Sequence, residues 1–181
     1  MKWLIASDIH GSALFAEKLV KRFDDSGADR LLLLGDILYH GPRNALPDGY
    51  DPPRVAGLLN ARADRICCVR GNCDCEVDQM VLDFPITADY MYIPVGQHLC
   101  FVTHGHVYSE SRMPKLSAGD FFLFGHIHVP RCEERGGIML LNPGSVSIPK
   151  NGSERGYMTL DGMRFSWHTL DGVEYRVYQA G

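Results

Sequence analysis

Residues 3–11 combine the pattern of a buried strand with a pair of potential metal ligands. An apolar run begins at Trp3 and leads into Asp8, His10 and Gly11. If the strand geometry persists, Asp8 and His10 lie on one face, because side chains two residues apart point the same way. An oxygen ligand beside an imidazole suits a divalent first-row metal. The stretch therefore predicts a buried strand that ends at a metal site.

The first half of the chain alternates strand patterns with helix patterns. Ser12 is a predicted N-cap for one helix, and Asp51, followed by two prolines, is a predicted N-cap for another. Short apolar runs at 30–34 and 65–69 are typical of strands buried on both faces. The order strand, helix, strand, helix, strand predicts a parallel sheet with right-handed crossovers. Polar site residues of such sheets gather beyond the C-terminal ends of the strands.

The second half contains only strand and turn patterns. Two Asp-Gly pairs in the tail, Asp161-Gly162 and Asp171-Gly172, predict turns between antiparallel strands. The stretch Asn142-Pro143-Gly144-Ser145 predicts a structural turn whose backbone orients nearby histidines. The predicted strands cover 90–95, 99–102, 121–124, 138–141, 157–160, 165–168 and 173–178.

Five predicted strand ends carry side chains of the kinds that bind metals. A glycine precedes several of them, and glycine allows the backbone to turn so that the next side chain points into a shared pocket. Seven mixed oxygen and nitrogen donors exceed the needs of one tetrahedral metal and fit two metals about 3.5–4 Å apart. The donors are Asp8, His10, Asp36, Asn72, His104, His126 and His128.

Composition narrows the class of protein. The chain has 181 residues, 45% of them apolar and 22% charged, which suits a single folded domain over residues 1–181. The formal net charge is -4 and no basic tract is present, which argues against stable nucleic-acid binding. The apolar run at the N-terminus is too short for a signal peptide or a membrane span, so a cytoplasmic location is expected.

The six cysteines are expected to be reduced thiols in that compartment. Cys67, Cys68, Cys73 and Cys75 lie close together, but their spacing is not that of a structural zinc site. Cys67 and Cys68 are adjacent in a predicted strand, so they should face opposite sides of the sheet.

The order D-x-H, G-D, G-N, a lone H and G-H-x-H resembles the motif series of the calcineurin-like metallophosphoesterases over nearly the whole chain. The stretches 41–47 and 71–74 further resemble the bacterial YfcE-type phosphodiesterases. The resemblance implies an α/β fold, namely a four-layer αββα sandwich of two mixed sheets flanked by helices, with the site at the edges of the sheets.

The resemblance also implies two divalent ions and a hydroxide between them that attacks phosphorus in line. Mn²⁺ is the expected metal, and the mixed donors are also compatible with Zn²⁺, Fe, Ni²⁺ or Co²⁺. Asp36 would bridge the two ions. By resemblance, the first ion would be held by Asp8, His10, Asp36 and His128, and the second by Asp36, Asn72, His104 and His126.

Cys73 departs from the family pattern, which has a histidine at that position to assist the leaving group. A neutral thiol offers less positive charge than an imidazolium, so phosphodiesters should be preferred over monoesters with poor leaving groups. Asn72, Cys73 and His106 are the candidate catalytic residues. For His106, proton supply, support of neighbouring ligands and simple solvent exposure stay open. Arg43 is a candidate contact for the substrate phosphate, with a solvated loop arginine as the alternative.

The favoured function is therefore a metal-dependent phosphodiesterase that acts on a small phosphodiester away from membranes. A non-catalytic scaffold on the same fold and a nuclease are the alternatives. The complete ligand set argues against the scaffold, and the acidic charge and small size argue against the nuclease. A homo-oligomer stays open, because exposed and buried aromatic residues look alike in the sequence.

Overall fold

Two mixed β-sheets pack face to face in the computed structural model, which describes residues 1–181. The helices are α1 (Ala13–Asp25), α2 (Pro52–Asn60) and the short α3 (Glu76–Gln79). The strands are β1 (Lys2–Ala6), β2 (Arg30–Leu33), β3 (Ile66–Cys68), β4 (Tyr90–Val95), β5 (His98–Thr103), β6 (Phe121–Leu123), β7 (Arg131–Arg135), β8 (Ile138–Asn142), β9 (Gly156–Asp161), β10 (Arg164–Thr169) and β11 (Glu174–Gln179).

The first sheet has the strand order β11-β10-β9-β1-β2-β3, and the second has the order β4-β5-β6-β8-β7. β1, β2 and β3 are parallel, which confirms the prediction for the first half. β9 pairs antiparallel with β1 and extends that sheet with the tail strands. In the second sheet, β5, β6 and β8 are parallel. The C-terminal ends of both parallel sets are therefore available for a site.

Both predicted helix starts are confirmed. The Ser12 hydroxyl accepts a hydrogen bond from the Phe15 N–H at 3.4 Å, which satisfies one of the free donors at the start of α1. The Asp51 carboxylate accepts from the Arg54 N–H at 3.2 Å, and prolines fill the first turn of α2.

The continuous apolar character of β1 follows from burial on both faces. Leu4 and Ala6 belong to the core between the first sheet and the helices, together with Phe23. Ile5 belongs to the core between the two sheets, together with Trp167. Each face of the strand therefore buries side chains in a different core, which is what a doubly covered strand requires.

Cys67 and Cys68 face opposite sides of the first sheet, as predicted. Cys67 packs against the core between the sheets, whereas Cys68 is buried in the helix-side core. All six cysteines are free thiols.

The prediction of two mixed sheets in an α/β fold is confirmed. The layer that covers the outer face of the second sheet is an irregular segment and not a helix. Phe101 and Phe122 stack at 5.7 Å on the outer face of this sheet. Tyr108 and Leu116, from the irregular segment 105–120, pack over them where a helix would otherwise lie. None of the helices has the length and apolar character needed to cross a bilayer.

β7 is the one strand that the sequence pattern did not indicate. Its residues, Arg-Cys-Glu-Glu-Arg, are charged and partly or fully exposed, because β7 lies at the edge of the second sheet. An edge strand needs no alternating apolar face, so the periodicity signal is absent.

Candidate metal centre

The backbone is strained where the candidate ligands lie. Five of them have positive φ angles although they are not glycines, which is uncommon for residues that carry a Cβ. Left-handed backbone costs about 1–2 kcal/mol per non-glycine residue, and such strain tends to cluster at functional sites. The residues are Asp8 (φ 60°), His10 (φ 49°), Asp36 (φ 56°), His126 (φ 66°) and His128 (φ 59°).

Backbone hydrogen bonds hold two of these strand ends side by side. The N–H of Asp8 donates to the Gly35 carbonyl at 3.1 Å, and that of His10 donates to the Asp36 carbonyl at 2.9 Å. Gly35 itself has φ +92°, and a Cβ there would overlap the backbone of Gly71. The glycine before Asp36 therefore serves both the turn and the close approach of the two loops.

A first cluster of donors forms where β1 meets the loop after β6. The Nε2 atom of His128 lies 3.3 Å from Asp8 Oδ1 and 3.3 Å from the Nε2 atom of His10. Asp8 Oδ1 also lies 3.7 Å from His10 Nε2. This carboxylate oxygen is buried and has no hydrogen-bond partner. A buried, unpaired carboxylate oxygen between two imidazole nitrogens is costly unless a cation or a proton joins them.

A second cluster forms around His104. Its Nε2 atom lies 3.4 Å from Asp36 Oδ2, 3.1 Å from Asn72 Oδ1 and 3.2 Å from His126 Nδ1. Asp36 Oδ2 is also 3.6 Å from the Nε2 atom of His10 in the first cluster. One oxygen of Asp36 thus faces both clusters, which is the geometry of a bridging ligand.

Three histidines have their ring orientation fixed from outside the clusters. Their Nδ1 atoms lie 2.8 Å from the Tyr39 carbonyl for His10, 2.6 Å from the Leu34 carbonyl for His104 and 2.6 Å from the Ile148 carbonyl for His128. A carbonyl only accepts, so each Nδ1 must carry the proton. In the neutral ring, the Nε2 lone pair then points into the cluster, as metal ligation requires.

The electrostatics of the clusters show mutual dependence of carboxylates and imidazoles. Burial by itself would raise the pKa of Asp8, but the adjacent imidazoles of His10 and His128 hold it well below its usual value. Burial would lower the pKa of His104, but the hydrogen bond with Asp36 and the charge of Asp8 raise it to about 9. The carboxylates therefore need positive charge beside them, and a divalent metal held by these residues would supply it.

Eleven residues surround an open cavity of about 320 Å³ above the two clusters, which we call the metal cavity. Arg43 and Lys150 are exposed cations at this cavity, and Cys73 lines it beside Asp36. Four further lining residues are candidate ligands, and the other three are Gly41, Pro42 and Asn44. The residues are His10, Asp36, Gly41, Pro42, Arg43, Asn44, Asn72, Cys73, His126, His128 and Lys150.

Comparison with known proteins gives the family. A model of the calcineurin-like phosphoesterase superfamily domain matches residues 1–163. The chain belongs to this superfamily. It is 50% identical to phosphodiesterase YfcE of Escherichia coli (strain K12) over 161 residues, which cover 89% of this chain and 88% of that protein. It is 28% identical to the probable metallophosphoesterase YsnB of Bacillus subtilis (strain 168), covering 83% of this chain and 78% of YsnB.

Solved structures agree with this assignment. The structure of the phosphoesterase YfcE from E. coli superimposes with a TM-score of 0.96 at 46% identity, covering 100% of both chains. Vps29 of Chaetomium thermophilum has a TM-score of 0.63 at 16% identity, again over 100% of both chains. The second likeness concerns the fold alone.

In this metallophosphoesterase, Cys73 and Asn72 contact each other. The Asn72 amide donates to Cys73 Sγ at 3.3 Å, and the Cys73 N–H donates to Asp36 Oδ1 at 2.8 Å. Burial and the nearby Asp36 carboxylate raise the pKa of the Cys73 thiol to about 12. The thiol is therefore neutral near pH 7.

His106 lies beside the clusters but outside the metal cavity. Its ring centroid is 5.4 Å from that of His104 and 6.4 Å from that of His126. Burial and the neighbouring His104 lower its pKa, and its Nδ1 is buried without a hydrogen-bond partner. It lines a neighbouring cavity that includes Arg131 and Arg135.

Asp74 is a positioning residue that sequence reasoning left without a role. Its buried carboxylate accepts from the backbone N–H groups of Asp36 and Ile37, both at 2.8 Å, and of Gly71 at 2.7 Å. It therefore ties the loop after β2 to the loop after β3. Its place at the end of the 71–74 stretch was the only signal in the sequence.

The turn after β8 acts through side chains more than through its backbone. The Asn142 amide donates to the Gly125 carbonyl at 2.8 Å, and the Ser145 hydroxyl donates to the Asp8 carbonyl at 2.9 Å. Ser147 donates to the same carbonyl at 3.1 Å. The carbonyl that orients His128 belongs to Ile148, three residues beyond the predicted turn.

Proposed function

We propose that this chain is a metal-dependent phosphodiesterase that hydrolyses small phosphodiesters at a dinuclear centre. The observation that carries the proposal is the convergence of oxygen and nitrogen donors from both sheets around the unpaired Asp8 Oδ1. The relative with 50% identity, named a phosphodiesterase, supports the same reaction.

The proposed ligands divide between two ions that share Asp36. When bound, two divalent ions lower the pKa of a water, orient the phosphate and neutralise charge on its oxygens. Asp36 Oδ2 faces both donor clusters, and this supports its role as the bridge. In our proposal, Asp8, His10, Asp36 and His128 hold one ion, and Asp36, Asn72, His104 and His126 hold the other.

The substrate phosphate would lie in the metal cavity. Arg43 and Lys150 are free to donate charge-assisted hydrogen bonds to its non-bridging oxygens. Asn72 offers its amide, and Cys73 contributes a neutral thiol rather than positive charge. A diester brings one negative charge and a monoester close to two, so a site without an imidazolium here favours diesters. For His106, a role as proton donor depends on a leaving group that reaches the neighbouring cavity.

Several finer points of the proposal rest on chemistry. Mixed carboxylate, amide and imidazole donors suit Mn²⁺, with Zn²⁺, Fe, Ni²⁺ or Co²⁺ as alternatives. The six free cysteines suit a reducing compartment such as the cytoplasm. Because both sheets contribute ligands, we propose that residues 1–181 act as one domain. We propose no stable nucleic-acid partner, given the net charge of -4.

Metal-stripped protein, reloaded separately with Mn²⁺, Zn²⁺, Fe²⁺, Ni²⁺ or Co²⁺, tests the proposal on bis(p-nitrophenyl) phosphate and p-nitrophenyl phosphate. We expect metal-dependent hydrolysis, faster for the diester, with no cleavage of a single-stranded oligonucleotide. Oligonucleotide cleavage would favour the nuclease. No hydrolysis with any metal would favour the non-catalytic scaffold.

A further inference from the structure

A second cavity of about 780 Å³ lies beside the metal cavity, and we call it the side cavity. His126 lines both cavities. Lys150 lines the metal cavity, and the next residue, Asn151, lines the side cavity. A ligand with its phosphorus at the metal centre can therefore extend past His126 into the side cavity.

The polar wall of the side cavity is a network of compensating charges. Glu110 accepts from Arg135 Nη2 at 3.1 Å and lies 3.7 Å from Arg131 Nε. Glu133, on the same face of β7 as the two arginines, lies 3.6 Å from Arg131 and 3.4 Å from Arg135. Glu133 does not line the cavity, but its carboxylate pairs with both arginines, so the two guanidinium groups and two carboxylates of this network compensate one another and attract an anionic group little.

Several hydrogen-bonding groups of this cavity are not used within the protein. Arg131 Nε and His106 Nδ1 are buried and have no hydrogen-bond partner. The Ser109 and Ser111 hydroxyls bond to each other at 3.1 Å, and each retains further capacity. The cavity also has an apolar part, which includes Ile127. Donors and acceptors side by side, without net charge and next to apolar surface, match a chain of carbons that carries hydroxyl groups.

We propose that the side cavity binds one of the two ester substituents of the substrate, and that this substituent is a polyol of the glycerol or sugar class. Each hydroxyl of such a group both donates and accepts, so it can donate to Glu110 and accept from Arg131. This inference rests on the proposed phosphodiesterase function and names the substrate class of the same site.

Two diesters that differ only in hydroxyl groups test the inference: glyceryl p-nitrophenyl phosphate and propyl p-nitrophenyl phosphate. Hydrolysis is followed by ³¹P NMR, which detects either monoester product. For the wild-type protein, we expect kcat/KM to be at least about tenfold higher for the glyceryl diester. A hydrogen bond to a charged group is typically sufficient for a difference of that size.

The Glu110→Gln variant removes the charged acceptor with little change in shape. We expect the ratio of kcat/KM for the glyceryl diester to that for the propyl diester to fall about tenfold, mainly through a higher KM. Glu134→Gln is the matched control, because Glu134 is exposed on the opposite face of β7, and its ratio should stay at the wild-type value. Arg131→Gln tests the other side of the network and should lower the ratio as well.

Two results would overturn the inference while leaving the proposed function standing. One is a wild-type protein that hydrolyses both diesters with equal kcat/KM. The other is a Glu110→Gln variant that slows both diesters by the same factor, which would make Glu110 merely structural. If neither diester nor bis(p-nitrophenyl) phosphate is hydrolysed under any metal condition, the proposed function itself fails, and the inference fails with it.

Discussion

The two sheets contribute chemically different donors to the candidate metal centre. The first sheet supplies every oxygen donor, from Asp8, Asp36 and Asn72, together with the imidazole of His10. The second sheet supplies imidazoles only. These are His104, His126 and His128.

This division means that the negative charge of the proposed ligands comes from the first sheet alone. The carboxylates of Asp8 and Asp36 are the only negatively charged groups among the proposed ligands, so the first sheet balances the charge of the metals. Two of the second sheet's imidazoles are oriented by backbone carbonyls and contribute neutral nitrogen donors. Loss of Asp36, the one donor that faces both clusters, should therefore disturb both metals, and loss of an imidazole from the second sheet should disturb only one.

The largest effect is expected for Asp36→Asn. Asp36 Oδ2 faces both clusters, so an amide there removes a charge and a bridging ligand together. We expect kcat/KM for bis(p-nitrophenyl) phosphate to fall about a thousandfold, because the metal contribution amounts to several kcal/mol. Metal analysis after dialysis should show loss of both ions.

Asp120 provides a control from the second sheet. It is buried, and its carboxylate accepts from the backbone N–H groups of Leu99 at 3.0 Å and Ser117 at 2.9 Å. Asp120→Asn should lower the unfolding temperature while both metals are retained. An Asp36→Asn protein that still held two metals would contradict the division of roles between the sheets.

A smaller effect is expected for His126→Asn. His126 contacts His104 but none of the first-cluster donors His10 and His128 through its ring nitrogens. One metal should stay bound after dialysis, and kcat/KM should fall by about a hundredfold, or about 2.7 kcal/mol. His98→Asn, at the start of β5 and far from the donors, is the matched control and should retain both metals and full activity. Loss of both metals in His126→Asn would argue against separate contributions.

The sequence predicted the convergence of the first sheet's donors better than the approach of the second sheet's histidines. Asp8 and Asp36 follow parallel strands with continuous apolar patterns, so their convergence follows from topology. The approach of the second sheet does not. The His126 N–H donates to Asp8 Oδ2 at 3.1 Å, across 118 residues of sequence. No local pattern reports a contact between sheets, so the sequence placed these histidines in the site through their ligand type at strand ends and through the family resemblance, without identifying this contact.

Other features escaped prediction for identifiable reasons. The left-handed backbone of His126 and His128 is imposed by the surrounding loops and is contrary to the intrinsic preference of histidine. The Asp74 carboxylate accepts hydrogen bonds only from backbone N–H groups, which every residue except proline has, so the sequence does not indicate which residues are its partners. The side cavity depends on β7, whose charged edge pattern gave no strand signal.

The pH dependence of the free energy of unfolding of the metal-free protein should reflect titratable ligands from both sheets. Because the His104 pKa is raised to about 9, its contribution is fully present below pH 6.5 and lost as the pH rises through 9. The depressed pKa values of Asp8 and Asp36 have the opposite consequence: their contribution is present above pH 3.8 and is lost as the pH falls below it. Stability should therefore be greatest between about pH 3.8, above which the carboxylates contribute, and about pH 6.5, below which His104 contributes fully.

Thermal unfolding at pH 5, 6.5 and 9 measures this profile. The metal-free midpoint should fall by several degrees from pH 6.5 to pH 9, since 1 kcal/mol corresponds to about 2–4 °C in a chain of this size. Added Mn²⁺ should abolish that decline, because bound metal requires the neutral imidazole. A metal-free midpoint that does not change over this range would contradict the proposed ion pairing of His104 with Asp36.

The smallest effect is expected at Cys73, where the first sheet offers a neutral thiol at the metal cavity. Cys73→His introduces a group that can carry positive charge and donate a proton to a leaving alcohol. Gly41 lies beside the Cys73 sulfur and has no side chain, which leaves some room for the larger imidazole ring. We expect monoesterase activity on p-nitrophenyl phosphate to rise about threefold to tenfold, roughly 0.7–1.4 kcal/mol, while diester hydrolysis changes less. Cys75→His, at an exposed cysteine two residues away, should leave both activities unchanged. Equal monoesterase activity in the wild-type and Cys73→His proteins would mean that the preference for diesters does not arise from the thiol.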